Sequence, residues 1–315
     1  MIAAAYLNPK NDVAFRRIFG TEKNKDILIH FINDVLGLSG KLAIKEVTFL
    51  SPILDPDVII KKESIVDVLC KNEKGEQIVV EMQASPHQGF EERAVYYASK
   101  AYFRQLNKGQ KADGLYRNLK KVIFIAISAT TLFHKKEAYK SDHAILDTKT
   151  YENDLGQLNF IFIELQKFNI ANVNKDSSMI EKWCYFFKHA EKTHPKELEK
   201  IIGSDLVIKR AYDELAAFNW TEEQLDKYER EIKRIRDNQA VEDYVFNQGM
   251  EKGIEKGIEK GIEKGKQEGQ QEEAIKVAIM MLKDQESTEK VIKYTGLSKD
   301  KVFTLSKRLE KELEA

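Results

Sequence analysis

The order of apolar patterns predicts an α/β fold, a mixed sheet with helices packed on it. Three observations carry that expectation. Two short helical stripes open the chain, five strand-like runs follow, and a long helical stretch at about residues 90–107 interrupts those runs. Helix, strands, helix, strand is the order that closes a mixed sheet.

The first helix is DVAFRRIF. Ala14, Phe15, Ile18 and Phe19 fall on one side, and Gly20 stops it. The second runs through KDILIHFINDVL. Its stripe is Ile27, Leu28, Phe31, Ile32, Val35 and Leu36, and Gly37 ends it. Strand character begins at KEVTFL and continues in SIVDVLC and QIVVEMQ. It returns in KKVIFIAIS at 120–128 and LNFIFIEL at 158–165.

The pair SIVDVLC/QIVVEMQ flanks NEKGE, a hairpin turn in which Gly75 takes the left-handed position. With Glu73-Lys74-Gly75 as the loop, Asp67 falls directly opposite Glu81. Alternation puts Glu81 and Gln83 on one face. Ile65, Leu69 and Val79 are expected to line that acidic face, and Val66, Val68, Val80 and Met82 the other. Directly opposite side chains lie about 5 Å apart, where like charges destabilise the pair. A cation between them resolves the conflict. Two carboxylates and an amide oxygen are hard ligands, suited to a magnesium-type ion. The plainer reading is a solvated strand pair, but apolar residues on both faces argue for burial, and buried acids need a partner.

The helix after the hairpin sets Arg93, Tyr97, Lys100, Arg104 and Lys108 along one stripe. Beside an acidic metal site, such a stripe suits a phosphodiester backbone. A solvated helix face is the alternative.

Composition narrows the classes. Lys+Arg and Asp+Glu are both 51, so any nucleic-acid contact must come from a local patch. The apolar run VIFIAI is too short to span a membrane, and MIAAAYL before Asn8-Pro9 is too short for a signal peptide. Cys70 and Cys184 read as packed thiols, which points to a reducing cytoplasm. The six histidines form no HxxxH or HxH pair, and no GxxxxGK[ST] loop or GxSxG elbow is present. His87, just past Gln83, reads as a loop residue.

Downstream the pattern turns helical and charged. Residues 173–247 are expected to support the sheet. Residues 248–271 repeat glycine every fourth position, a period that drifts about 40° per repeat around a helix. Each glycine costs about 1 kcal/mol there, so the segment is either a flexible linker or a self-associating helix, the linker being somewhat favoured. In 272–315, STEKVIKYTGLSKDKVFTL resembles a helix-turn-helix, with Gly296 in the turn and Val291, Leu297, Val302 and Leu305 at core positions. An internal start at Met250 would give a short product, 250–315, able to pair with the full chain.

Taken together, NPKNDVAFRRIFG, LSPILDPDVIIKKESIVDVLCKNEKGEQIVVEMQ, ERAVYYASKAYFRQLNKGQ, KKVIFIAIS and FIFIEL resemble the Rpn recombination-promoting nucleases. These are bacterial PD-(D/E)XK-type proteins often labelled putative transposases. The resemblance covers roughly residues 5–170, and the glycine repeat and final hairpin resemble tails found there. It implies a restriction-endonuclease-like PD-(D/E)XK core over 1–172, with metal-dependent hydrolysis of DNA. Asp67 matches the metal-binding aspartate, Glu81 the acidic residue of the (D/E)XK element, and Asp12 the acidic position contributed by the first helix. Gln83 stands where the broader superfamily has lysine.

The resulting expectation is that Asp67, Glu81 and Asp12 hold Mg²⁺ (or Mn²⁺) and that Gln83 positions the nucleophile. Arg93, Tyr97, Lys100 and Arg104 would contact DNA. A catalytically silent DNA-binding or oligomeric protein and an RNase are the competing readings, since nothing in the sequence reads a 2′-hydroxyl. A homo-oligomer is expected.

Overall fold

The computed structural model describes residues 5–54, 64–86, 88–106, 116–169 and 173–313. His87 and Lys108 lie outside them. The chain forms two compact units, Met1–Arg236 and Asp237–Ala315.

In the first unit, helices α1 (Asp12–Phe19) and α2 (Lys25–Leu36) have the bounds their stripes predict. Asn11 caps α1 by accepting the Val13 and Ala14 N–H groups at 3.0 and 3.4 Å, which fixes Asp12 in the first turn. Gly37 closes α2 in the left-handed region, at φ 65°.

The strands are β1 (Val47–Phe49), β2 (Val68–Asn72), β3 (Gln77–Gln83), β4 (Val122–Ser128), β5 (Lys140–Ala144) and β6 (Leu158–Glu164). They form one mixed sheet in the order β1-β2-β3-β4-β6-β5. The β3, β4 and β6 strands are parallel neighbours, and the outer pairs are antiparallel.

The β2–β3 register is the expected one. Val68 pairs with Val80 and Leu69 with Val79. Asn72 and Glu76 close a three-residue loop, and Gly75 has φ 79°. The ladder stops one residue short of Asp67, where the chain bends. That bend shifts the alternation upstream of it. Val66 packs on the acidic face with Leu69 and Val79, not on the opposite face with Val68, Val80 and Met82. Ile65, expected to line the acidic face, is 38% exposed.

The two faces are covered differently. On the Val68/Val80/Met82 face lie α1, α2, α4 (Met179–His189), α5 (Pro195–Ile202) and α6 (Leu206–Leu215). Their core is aromatic, with Phe15, Phe19, Phe31, Trp183, Phe186 and Phe187 fully buried. A polar tie crosses this layer. Asp34 accepts from Trp183 Nε1 at 2.7 Å and lies 2.8 Å from His30 Nδ1, while His30 Nε2 is 3.3 Å from Asp205.

The other face carries α3 (Phe90–Phe103), which packs over β3 and β4 through Ala94, Ala98 and Ala101. Three alanines let the helix backbone sit close to Phe124 and Ala126.

The second unit contains most of α7 (Glu222–Lys283), then α8 (Thr288–Thr295) and α9 (Lys299–Leu313). The glycine repeat is helical, although the sequence favoured a linker. Lys252, Lys256 and Lys260 each precede a glutamate by three residues, but the four-residue period also sets glutamate beside glutamate and lysine beside lysine at i,i+4, so the charges do not offset the glycine cost. Residues 236–273 are exposed. Gly296 turns α8 into α9 at φ 68°, and Val291, Leu297 and Val302 are buried with Ala278, Leu305 packing beside them. Among the described residues, no helix is long and apolar enough to cross a membrane.

The alanine stripe sets the height of α3 above the sheet. Ala98→Leu is expected to cost about 1–3 kcal/mol through overpacking and to lift Arg93 away from β3. A thermal melt and a nucleic-acid cleavage assay on the same preparation check both effects.

Candidate active site at the end of the sheet

The two hairpin carboxylates meet where the ladder ends. The Asp67 N–H donates to Glu81 Oε2 at 3.0 Å, and the Met82 N–H donates to Asp67 Oδ2 at 3.0 Å. Each side chain thus replaces a carbonyl that a continued ladder would have supplied. The exchange holds both carboxylates nearly out of water, with side-chain exposures of 8% for Asp67 and 10% for Glu81.

Cations approach from both layers. Arg16 of α1 donates to Asp67 Oδ1 from Nε at 3.3 Å and from Nη2 at 3.1 Å. Arg93 of α3 donates to Gln83 Oε1, and its Nη2 lies 4.0 Å from Glu81 Oε1. The Arg93 guanidinium is stacked 4.9 Å from the Phe90 ring centroid and 5.9 Å from that of Tyr97. The Gln83 amide donates to the Ser85 carbonyl, so its orientation is fixed from both ends.

Asp12 is paired with Arg234 at 3.4 Å. Burial first, then the Asp67 and Glu231 charges, raise its pKa to about 6. Burial and the Asp67 charge raise Glu81 to about 8, with Asp12 adding to the effect. Burial pushes Asp67 upward as well, against the opposing pull of the Met82 N–H and Arg16. The three acids therefore feel one another, and each holds its proton more tightly than a solvated carboxylate.

Among the described residues, no group of three or more His, Cys, Asp or Glu side chains is arranged to hold a metal ion by itself. The donor chemistry nevertheless fits a hard divalent cation. Two adjacent, mutually repelling carboxylates are what magnesium takes from a protein before completing its shell with water and phosphate oxygens.

The structure brings Asp67, Glu81, Gln83, Arg93 and Tyr97 together, with Asp12 within electrostatic reach. Lys100 and Arg104 of the basic stripe have other contacts. Lys100 Nζ donates to Ser64 Oγ at 2.8 Å and lies over Tyr96, and Arg104 donates to the Ser51 carbonyl at 3.3 Å. Arg16 is the residue that sequence reasoning missed. Its position one helical turn after Asp12 was the available signal.

The model of the family described as PD-(D/E)XK nuclease family transposase matches residues 9–245. The chain belongs to this family. The six-stranded mixed sheet with flanking helices is consistent with the PD-(D/E)XK fold. The matched span takes in the helices after the sheet as well as the hairpin. No curated protein and no solved structure matches the chain.

The acids make stability depend on pH in a definite direction. Glu81 binds a proton more tightly folded than unfolded, so its contribution is complete below the ordinary value of 4.5 and is lost as pH rises through about 8. Without divalent metal, the melting temperature should fall across that window, and Glu81→Gln should flatten the fall. Added Mg²⁺ should raise the melting temperature of the unsubstituted protein most at the alkaline end. Melts at a series of pH values, with and without Mg²⁺, check this.

Proposed function

We propose that this PD-(D/E)XK family member is a divalent-metal-dependent nuclease that hydrolyses DNA phosphodiester bonds. The observation that carries the reading is the buried Asp67–Glu81 pair, flanked by Arg16 and Arg93 at the carboxyl end of parallel strands. Open α/β sheets present their ligand crevices there.

Asp67 and Glu81 would hold Mg²⁺ or Mn²⁺, with Asp12 acting through a water or a second ion. When bound, the ion supplies Lewis acidity to the scissile phosphate and lowers the pKa of an attacking water. Gln83 keeps a second oxygen lone pair for that water, because Arg93 occupies only one. Glutamine brings no positive charge, and Arg93 provides one beside it. Arg93 has five N–H donors. The donors not used on Gln83 can meet charge as it develops on the phosphate. Tyr97 flanks this cation, while Lys100 and Arg104 extend the basic face along α3.

A role in recombination or mobile-element biology, which the resemblance implies, belongs to this proposal, as does a cytoplasmic location. Self-association is supported by the second unit, where Tyr244, Phe246, Ile254 and Ile258 stand exposed on one helix.

Nicking of supercoiled plasmid in Mg²⁺ tests the central claim. Asp67→Ala and added EDTA should each abolish cleavage while the protein stays folded by circular dichroism. Unchanged cleavage by Asp67→Ala would sink the assignment. Arg93→Gln should lower kcat by about 10²–10³ with little change in KM, the effect of removing a donor aimed at developing charge. A change confined to KM would instead make Arg93 a binding residue.

A further inference from the structure

A pocket opens beyond the same end of the sheet. It has a volume of about 330 Å³ and is lined by Lys10, Ala129, Thr130, Leu165, Gln166 and Lys188. Ala129 and Thr130 follow β4, and Leu165 and Gln166 follow β6. Lys10 precedes α1, and Lys188 lies in the last turn of α4. The pocket therefore occupies the crevice outside the carboxyl ends of two parallel strands.

Its link to the acidic site is short. The Ala129 N–H donates to the Gln83 carbonyl at 2.9 Å. Lys10 also lines a neighbouring pocket that reaches Asn11 and Ala84, the residues beside Asp12 and Gln83. Adjacent strands lie about 4.8 Å apart, so the pocket is one or two strand spacings from the end of β3. A nucleic-acid strand advances about 3.4 Å per nucleotide, which puts the pocket within a few nucleotides of the scissile bond.

The lining is rich in donors. Lys10 Nζ donates to the Phe187 carbonyl at 2.9 Å and Lys188 Nζ to the Phe168 carbonyl at 2.5 Å. Each ammonium is held by one bond and has two more donors. The Gln166 amide oxygen accepts from the Thr131 N–H at 3.0 Å and its hydroxyl at 3.2 Å, which leaves the NH₂ end to face outward. No carboxylate is among the lining residues. Glu191 stands on the neighbouring side of Lys10 and opposes the lysines there. Burial first, and then the Lys188, Lys192 and Lys10 charges, hold the nearby His189 toward its neutral form.

We propose that this pocket is a phosphate subsite for the nucleic-acid backbone, with Lys10 and Lys188 as the phosphate-binding cations and Gln166 as a hydrogen-bond donor. It rests on the nuclease reading for its substrate class and adds a second contact track to the Arg93 side. A strand gripped by Arg93 from one layer and by Lys10 and Lys188 from the other would cross the sheet end over the carboxylates.

The test is the salt dependence of binding to a fluorescent single-stranded oligonucleotide, in Ca²⁺ in place of Mg²⁺ to slow cleavage. Lys10→Gln/Lys188→Gln should raise Kd several-fold. It should also make the slope of log K against log salt shallower by about 1.4, the value for two lost phosphate contacts on a single strand. Gln166→Glu, an exposed change that keeps the acceptor for Thr131, should weaken binding without disturbing the melt. If both variants keep the parent Kd and slope while the parent binds and cuts, the subsite falls and the nuclease assignment stands. A parent that binds no oligonucleotide overturns the subsite, and one that also nicks no plasmid overturns both. Weakened, shallower binding beside a parent that binds but never cuts supports the subsite and overturns the nuclease assignment.

Discussion

Two carboxylates kept from water at one end of a hairpin set the terms for the rest of the first unit. Burial makes their ionised forms costly, and their proximity adds to the cost. Asp67 and Glu81 are nevertheless pinned there by each other's strand through a reciprocal pair of backbone bonds. Counter-charge has to come from outside the hairpin, and it comes from both layers, Arg16 from α1 and Arg93 from α3. The positions of these two helices are thus coupled to the chemistry of the pair. An arginine that stabilises the acids in one step is also placed to meet a phosphate in the next.

The asymmetry of the two layers fits this division of labour. The face with Trp183 and the phenylalanines is thick and tied by polar bonds such as Trp183 to Asp34, so α1 and its Asp12 and Arg16 ride on a rigid base. The α3 face is thin, and its alanines bring a single helix close enough for Arg93 to reach Gln83. At the carboxyl end of β6, Glu164 is fully buried. It accepts the Leu132 and Phe133 N–H groups at 2.6 and 3.0 Å. That clamp fixes the loop after β4, whose first residues wall the lysine pocket.

Much of this was legible in the sequence where a local rule governs. Gly75 fixes the loop length, and the loop fixes the register that brings Asp67 beside Glu81 where the ladder ends. Helices α1 and α2 follow from stripes ended by Gly20 and Gly37. What was not legible depends on tertiary context. The β5 strand, KSDHA, has no apolar alternation. It is a half-buried edge strand held by pairing to β6, and charges such as Lys140 and Asp142 suit an edge. Val66 changed face because the chain bends at Asp67, a bend that the carboxylate bonds create and that alternation alone does not foresee. Lys10 and Lys188 are far apart in sequence and meet only because the strand ends bring their flanking segments together.

The hairpin has a consequence for the order in which the molecule assembles. Asp67 and Glu81 are separated by only fourteen residues, whereas Arg16 and Asp67 are fifty-one apart. Hairpins close in about 1–10 μs, but the parallel pairing of β3 with β4 has to wait for the crossover through α3. Like charges therefore meet early, before Arg16 arrives. In a chain whose carboxylates are already ionised, this nucleus forms against its own repulsion, so the acidity of the medium bears on how fast the chain folds as well as on how firmly it stays folded.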